Sequence, residues 1–306
     1  MNDHNEPAEL RQPSAPTLPP PSSSPLRPLW LAAAFGLFLF LGWMLLASVW
    51  QPRLDWLAVP GHHARVLFYY GCLDAFALAL SAAFLCGLET LQFRELGLAF
   101  FPGWLTQAAV GLAWGAGVIS ATALLLAVSR AASIFPFASR SLSRLLFLSA
   151  FILLASAFEE LTFRGYALQR AAAALGPVWA ALISSAIFGW AHSANPQATL
   201  LSSANTALAG LILAAARLRS RALWMPIGLH FAWNFFLGPV FSFPVSGLTL
   251  SAARFSAIAP GPLWLTGGAY GPEGGAALTV VLVIAIPLLL FLPIPGSSIP
   301  PRSAVH

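Results

Sequence analysis

Apolar residues run through this chain in eight stretches, roughly 29–50, 66–88, 103–128, 145–163, 178–194, 198–216, 222–242 and 277–294. Within a stretch they follow one another without the period-two alternation of a transmembrane strand, which argues against a β-barrel. Their lengths suit helices crossing a hydrocarbon core of about 30 Å, with 178–194 the shortest. A helix satisfies its own backbone hydrogen bonds, as lipid requires. The pattern predicts an all-α, polytopic membrane protein of about eight transmembrane helices. Residues 1–28 are rich in Pro and Ser and predict a disordered cytoplasmic tail. The stretch Leu29–Trp50 is too long for a signal-peptide core and reads as a retained anchor. Residues 29–296 then form one membrane domain, and 297–306 a short C-terminal tail.

Composition agrees with the pattern. Of 306 residues, 58% are hydrophobic and 8% charged, with mean hydropathy +0.78. A soluble domain carries about 25% charged residues, so a soluble enzyme, a disordered chain and a nucleic-acid binder are excluded. All 15 basic residues are Arg. They sit singly or in small clusters between the apolar stretches, where they set orientation. An inside N-terminus puts Arg11, Arg27, Arg94, Arg164, Arg170, Arg217, Arg219, Arg221 and Arg302 on inner segments, against Arg53, Arg65, Arg130, Arg140, Arg144 and Arg254 outside. Nine against six favours cytoplasmic termini. The Lys-free style fits GC-rich bacterial coding, so the expected location is a bacterial cytoplasmic membrane. Cys72 and Cys86 lie fourteen residues apart on one helix, about 21 Å, and cannot pair.

Ionisable residues at bilayer depth cost at least about 2.5–3.5 kcal/mol each on insertion scales, so each one is a functional hypothesis by default. Asp74 lies in the second stretch, Glu159, Glu160 and Arg164 end the fourth, His192 closes the fifth, and His230 with Asn234 lies in the seventh. Glu160 and Arg164 are spaced i, i+4 and share a helix face, so they can neutralise each other. Glu159 is rotated about 100° away and has no partner on its own helix. Phe188 and His192, and His230 and Asn234, repeat the i, i+4 spacing. Asp74 belongs to no such pair and reads as structural.

Depth relates the stripes. Glu159 lies about 21 Å along its helix from Leu145, about 9 Å short of the cytoplasmic side. His230 lies about 12 Å in from Ala222, within a helical turn of the same level. His192 reaches that level only if the residues after Gly176 first run along the interface. A helix rising directly from Pro177 would carry it about 22 Å in and misplace it.

A carboxylate, two imidazoles and a carboxamide in a membrane cavity suit hydrolysis. Glu159 can take a proton from water as a general base and His192 can hold the same water. His230 and Asn234 can donate to the oxyanion formed when that water attacks a peptide carbonyl. A metal version is the alternative: Glu159, His192 and His230 match a catalytic zinc set with one open position. Asn is a poor zinc ligand and a good oxyanion donor, so no cofactor is favoured. The soluble H-E-x-x-H motif is absent.

These residues resemble the CPBP family of intramembrane proteases, which includes the type II CAAX prenyl endopeptidases. The family's E-E-x-x-x-R reads Glu159-Glu160-Leu161-Thr162-Phe163-Arg164 here. Its F-x-x-x-H reads Phe188-Gly189-Trp190-Ala191-His192, and its H-x-x-x-N reads His230-Phe231-Ala232-Trp233-Asn234. Arg94-Glu95-Leu96-Gly97-Leu98 and the segment Gly267–Gly275 also look like parts of bacterial members. The resemblance is strongest over 145–240. It implies an eight-helix fold with an intramembrane catalytic cavity opening toward the cytosol. It implies Glu159 and His192 as water activators, His230 and Asn234 as oxyanion stabilisers, and Glu160, Arg164 and Phe188 in support. The expected partner is a membrane-tethered protein or peptide, cut in CAAX-type or bacteriocin-related processing, and the bilayer itself.

Two readings from other classes compete. A non-catalytic binding or immunity scaffold would need to keep only paired polar groups, yet Glu159, His192, His230 and Asn234 are all present. A proton-coupled transporter would be expected to show repeated halves with broken helices, and the sequence has no internal repeat.

Overall fold

The computed structural model describes residues 26–50, 57, 60–89, 91–136, 141–250, 255–291 and 293–294. The expected C-terminal tail, and the N-terminal tail up to residue 25, lie outside these.

Every apolar stretch coincides with a helix. In chain order these are α1 Leu26–Trp50, α2 His63–Ala82 and α3 Trp104–Val128, then α4 Leu142–Arg164, α5 Tyr166–Leu175, α6 Pro177–Ala191 and α7 Leu200–Ser220. They are followed by α8 Trp224–Phe235, the single turn α9 Leu263–Thr266, and α10 Ala276–Phe291. Both α2 and α8 continue into wider π-helical turns, at Ala83–Leu88 and Phe236–Val240. Pro28 falls in the first turn of α1, where a missing N–H costs nothing, so the helix starts inside the Pro-rich segment assigned to the tail. Among the described residues five helical stretches are long and apolar enough to cross a membrane: Leu26–Val49, His63–Leu88, Trp104–Val128, Leu142–Leu175 and Leu200–Ser220. The chain is an all-α, polytopic membrane protein. Its outward faces carry large exposed apolar side chains, such as Leu45 on α1 and Val283 on α10, where lipid takes the place of water.

Close helix approach replaces the hydrophobic drive that lipid cancels. On α3, Gly111 and Gly115 lie against the Met225 and Leu229 carbonyls of α8, where a Cβ would come within 2.1 and 2.2 Å. Gly228 of α8 returns the contact, a Cβ there falling 2.5 Å from the Ala108 carbonyl. This small-residue seam sets the position of α8 and thus of His230.

Connections alternate between two ends of the bundle. At one end β1 (Ser133–Pro136) and β2 (Phe255–Ile258), a short antiparallel pair, join the α3–α4 and α8–α9 connections. Arg144 also reaches the Leu57 carbonyl there, and Asn195 the Ser246 carbonyl. At the other end the Leu223 amide donates to the Gly97 carbonyl, Arg217 to Leu96, and Gln169 to Glu95.

One expectation needs correction. Helix α6 does rise directly from Pro177, yet His192 lies beside Glu159. The cause is α5, which the apolar pattern did not single out. After a break at Gly165, where a Cβ would sit 2.3 Å from the Leu161 carbonyl, α5 carries the chain a further 15 Å or so. The Ser184 hydroxyl donates to the Phe163 carbonyl and sets α6 level with the foot of α4. Pro177 is then about 10 Å to one side of that level and His192 about 12 Å to the other.

Candidate functional site

Three helices converge on one polar cluster. Glu159 and Glu160 come from the last turns of α4, His192 from the end of α6, and His230 from the middle of α8. Adjacent carboxylates on a helix point apart. Glu160 is fully buried, while Glu159 faces a cavity of about 230 Å³ that His192, His230 and Asn234 also line.

Behind the cavity the buried charge is paired. The Arg164 guanidinium donates to Glu160 Oε1 at 3.2 Å and to the Gly210 carbonyl at 3.2 Å, and its carbon sits 4.2 Å from the centre of the Phe188 ring. The same Glu160 oxygen lies 2.8 Å from His230 Nδ1. Two cationic or N–H partners on one buried carboxylate oxygen satisfy the rule that buried charge must be compensated. Because an ionised carboxylate only accepts, Nδ1 of His230 carries the proton. Its Nε2, which points to the cavity side, then donates only when the ring is doubly protonated.

His192 is fixed in a similar way. Its Nδ1 lies 2.8 Å from the Phe188 carbonyl, one turn earlier, so Nδ1–H donates and Nε2 keeps a lone pair. The Nε2 atoms of His192 and His230 lie 3.7 and 3.8 Å from one atom, Glu159 Oε2. That oxygen is buried and has no protein hydrogen-bond partner. Gaps of this size are too long for direct hydrogen bonds and leave room for a small molecule between the three groups.

The structure therefore brings together Glu159, His192, His230 and Asn234, with Glu160, Arg164 and Phe188 packed behind them. Among the described residues no group of three or more His, Cys, Asp or Glu side chains is arranged to hold a metal ion. Asp74 lies outside the cluster, buried on α2, with neither oxygen hydrogen-bonded.

Residue-by-residue reading missed the far wall of the cavity. Val245-Ser246-Gly247-Leu248 forms a tight turn, with reciprocal Val245–Leu248 backbone bonds at 2.8 Å and positive φ at Ser246 and Gly247. This is the turn type that favours glycine at its centre, and a Cβ on Gly247 would also meet the Pro196 carbonyl at 2.2 Å. Glu273 holds the turn: Oε2 accepts from the Ser246 amide at 2.5 Å and its hydroxyl at 2.9 Å. Glu273 Oε1 accepts from the indole of Trp233, the residue before Asn234, at 2.9 Å. Asn205 of α7 fixes the backbone there by donating to the Glu273 and Gly275 carbonyls. Burial and then the Glu273 charge push the Tyr270 phenol above its ordinary range. Tyr70 of α2, its ring edge-on to Phe151, completes the wall beside Glu159. The resemblance of 267–275 to family members was the one signal pointing at Glu273. Nothing in the spacing of Tyr70 marks it.

The arrangement of α4 to α8 also has a counterpart among known families. Residues 140–236 are similar to one such family. They match the family model described as type II CAAX prenyl endopeptidase Rce1-like, and the match spans α4 through α8, which hold every residue of the cluster. No curated protein and no solved structure matches the chain. Over that segment the chain is similar to a family of endopeptidases.

Proposed function

We propose that this protein is an intramembrane endopeptidase that hydrolyses a peptide bond of a membrane-tethered protein or peptide with a water molecule activated by Glu159. What supports the reading above all is the one buried, unpartnered oxygen of Glu159, faced by two imidazole nitrogens at 3.7 and 3.8 Å inside an Rce1-like segment.

In this scheme Glu159 Oε2 accepts one hydrogen of the water, and the lone pair of His192 Nε2 the other. The water oxygen attacks the substrate carbonyl carbon as its proton passes to Glu159. The carbonyl oxygen becomes an oxyanion and accepts from the Asn234 amide and from Nε2–H of doubly protonated His230. The C–N bond then breaks as Glu159 returns its proton to the leaving nitrogen, giving an amine and a carboxylic acid whose remaining proton passes to His192 Nε2 to leave a carboxylate. Glu160 holds the His230 tautomer, Arg164 neutralises Glu160, and the Phe188 carbonyl holds His192. These are positioning roles.

The test is cleavage of membrane-tethered peptides by full-length protein in liposomes. Glu159→Gln should lower the rate at least about a hundredfold, as expected for loss of a general base, while wild-type cleavage should survive a chelator. Cleavage that survives Glu159→Gln would refute the scheme. Cleavage lost to the chelator would transfer Glu159, His192 and His230 to a metal site.

A further inference from the structure

Both imidazoles of the site have a partner that fixes them, Glu160 for His230 and the Phe188 carbonyl for His192. Asn234 has none. Its amide faces the cavity and hydrogen-bonds to no other described residue, so its aim depends on the backbone that carries it. That backbone is weakly held from within. Asn234 lies in the last turn of α8, next to the π-helical turns Phe236–Val240, and Pro239 within them has no N–H to return to the Asn234 or Phe235 carbonyl. The His230–Glu160 bond holds the turn before, not this one. Trp233 supplies the hold: it is 4% exposed, and its indole N–H donates to Glu273 Oε1 at 2.9 Å. Trp233 and Asn234 are adjacent, so a swing of the last turn moves both. The side-chain envelope of a helix has a radius of about 5–6 Å, so a twist of about 10° displaces the amide by about 1 Å.

Glu273 is itself fixed. Its carbonyl accepts from Asn205 Nδ2 at 2.9 Å, and Asn205 Oδ1 accepts from the Thr279 hydroxyl at 2.7 Å. Its second carboxylate oxygen takes the amide and hydroxyl of Ser246, in the turn that walls the cavity. A carboxylate, with an acceptor at each oxygen, can take donors from both directions at once; a carboxamide cannot. On the hydrolytic reading above, we propose that Glu273 is a positioning residue for catalysis. Through Trp233 it aims the Asn234 amide at the oxyanion, and through Ser246 it holds the wall beside which the substrate lies. The two oxygens divide the task. The Trp233 arm matters when charge develops on the carbonyl oxygen, so its loss lowers kcat. The Ser246 arm shapes binding of the ground state, so its loss raises KM.

The test is the kinetics of full-length protein in liposomes on an N-acylated apolar octapeptide, each rate taken per folded molecule. A misplacement near 1 Å can cost about a hundredfold, and a loosened arm that still visits the right position should cost about tenfold. Trp233→Phe is therefore expected to lower kcat about tenfold with KM within about twofold, and Ser246→Ala to raise KM about threefold with kcat unchanged. In Glu273→Gln the one remaining acceptor is held by the two Ser246 donors, and the indole loses its partner. Adding Trp233→Phe to it should then lower kcat by no more than about twofold further. A gap left in the wall by the smaller ring would instead multiply the two losses. Multiplied losses, a Trp233→Phe kcat within about twofold of wild type, or a Ser246→Ala variant that loses kcat rather than binding, overturns the proposal and leaves the hydrolytic reading standing. Cleavage that survives Glu159→Gln overturns the hydrolytic reading, and the proposal with it. If wild type cuts no peptide, or Glu273→Gln does not fold, binding to wild type and Trp233→Phe decides. The probe is the same octapeptide with a phosphinate, a tetrahedral anion, in place of the scissile amide. Phosphinate binding about tenfold weaker in Trp233→Phe, with the parent peptide bound equally, supports the proposal; equal or absent phosphinate binding overturns it.

Discussion

Arg164 is the residue on which the buried half of the site depends. Its guanidinium has no exposure, donates to Glu160 and Gly210 and lies over Phe188, while its own carbonyl accepts from buried Arg217. Arg164→Ala would leave Glu160 as a buried anion with only His230 to answer it, a loss of about 3–5 kcal/mol by analogy with broken buried pairs. Glu159→Gln, by contrast, alters a group that faces a cavity. The expected outcome is a much lower yield of folded Arg164→Ala in detergent extraction, with Glu159→Gln near wild type; equal yields would contradict the pairing argument. The i, i+4 spacing made the Glu160–Arg164 pair readable in the sequence. The link from Glu160 to His230 was not readable, because it crosses between α4 and α8 and depends on their separation.

At the scale of elements, the long apolar helices were legible because lipid enforces long apolar stretches, and a stretch shows itself without knowledge of its neighbours. What stayed hidden has no such signature. Helix α5 has ten residues and includes Gln169 and Arg170, which bond to Glu95 and Glu89 rather than facing lipid. The β1–β2 pair joins four-residue segments more than a hundred positions apart. The Gly111–Gly115 seam of α3 could be seen as small residues, but its partner could not. That partner is α8, and the contact yields a prediction. A methyl at Gly111 would meet the Met225 carbonyl at 2.1 Å, a backbone atom that cannot rotate away. Gly111→Ala must push α8 outward, at about 1–3 kcal/mol for overpacking, and carry His230 away from Glu159. Thermal unfolding in detergent should shift down, and peptide cleavage should fall further than the loss of folded protein explains. Gly117 on the same helix has open space around a Cβ, so Gly117→Ala is the control expected to leave both unchanged.

For the whole molecule, two expectations drawn from the sequence cannot both hold. The arginine count put the Arg217–Arg221 end in the cytoplasm, and the family resemblance put the cavity mouth there too. Yet the cavity runs from the Glu159 level toward Asn195, Ser246 and Glu273, at the β1–β2 end of the bundle. The count itself weakens once burial is known. Arg164, Arg170 and Arg217 are buried in hydrogen-bond networks that account for their positions, and without them the count taken from the sequence is six against six. Substrate entry, then, should follow the cavity. With Cys72 and Cys86 replaced by Ala, a single cysteine at exposed Ser193 marks the β1–β2 end, and one at exposed Arg94 marks the other. In vesicles holding the protein in one orientation, a membrane-impermeant peptide supplied from outside should be cleaved when Ser193→Cys is the position labelled from outside by an impermeant thiol reagent. It should be spared when Arg94→Cys is the labelled one. Cleavage from the Arg94 side would mean that the path to Glu159 passes between α4, α5 and α7, where the buried arginines now close it.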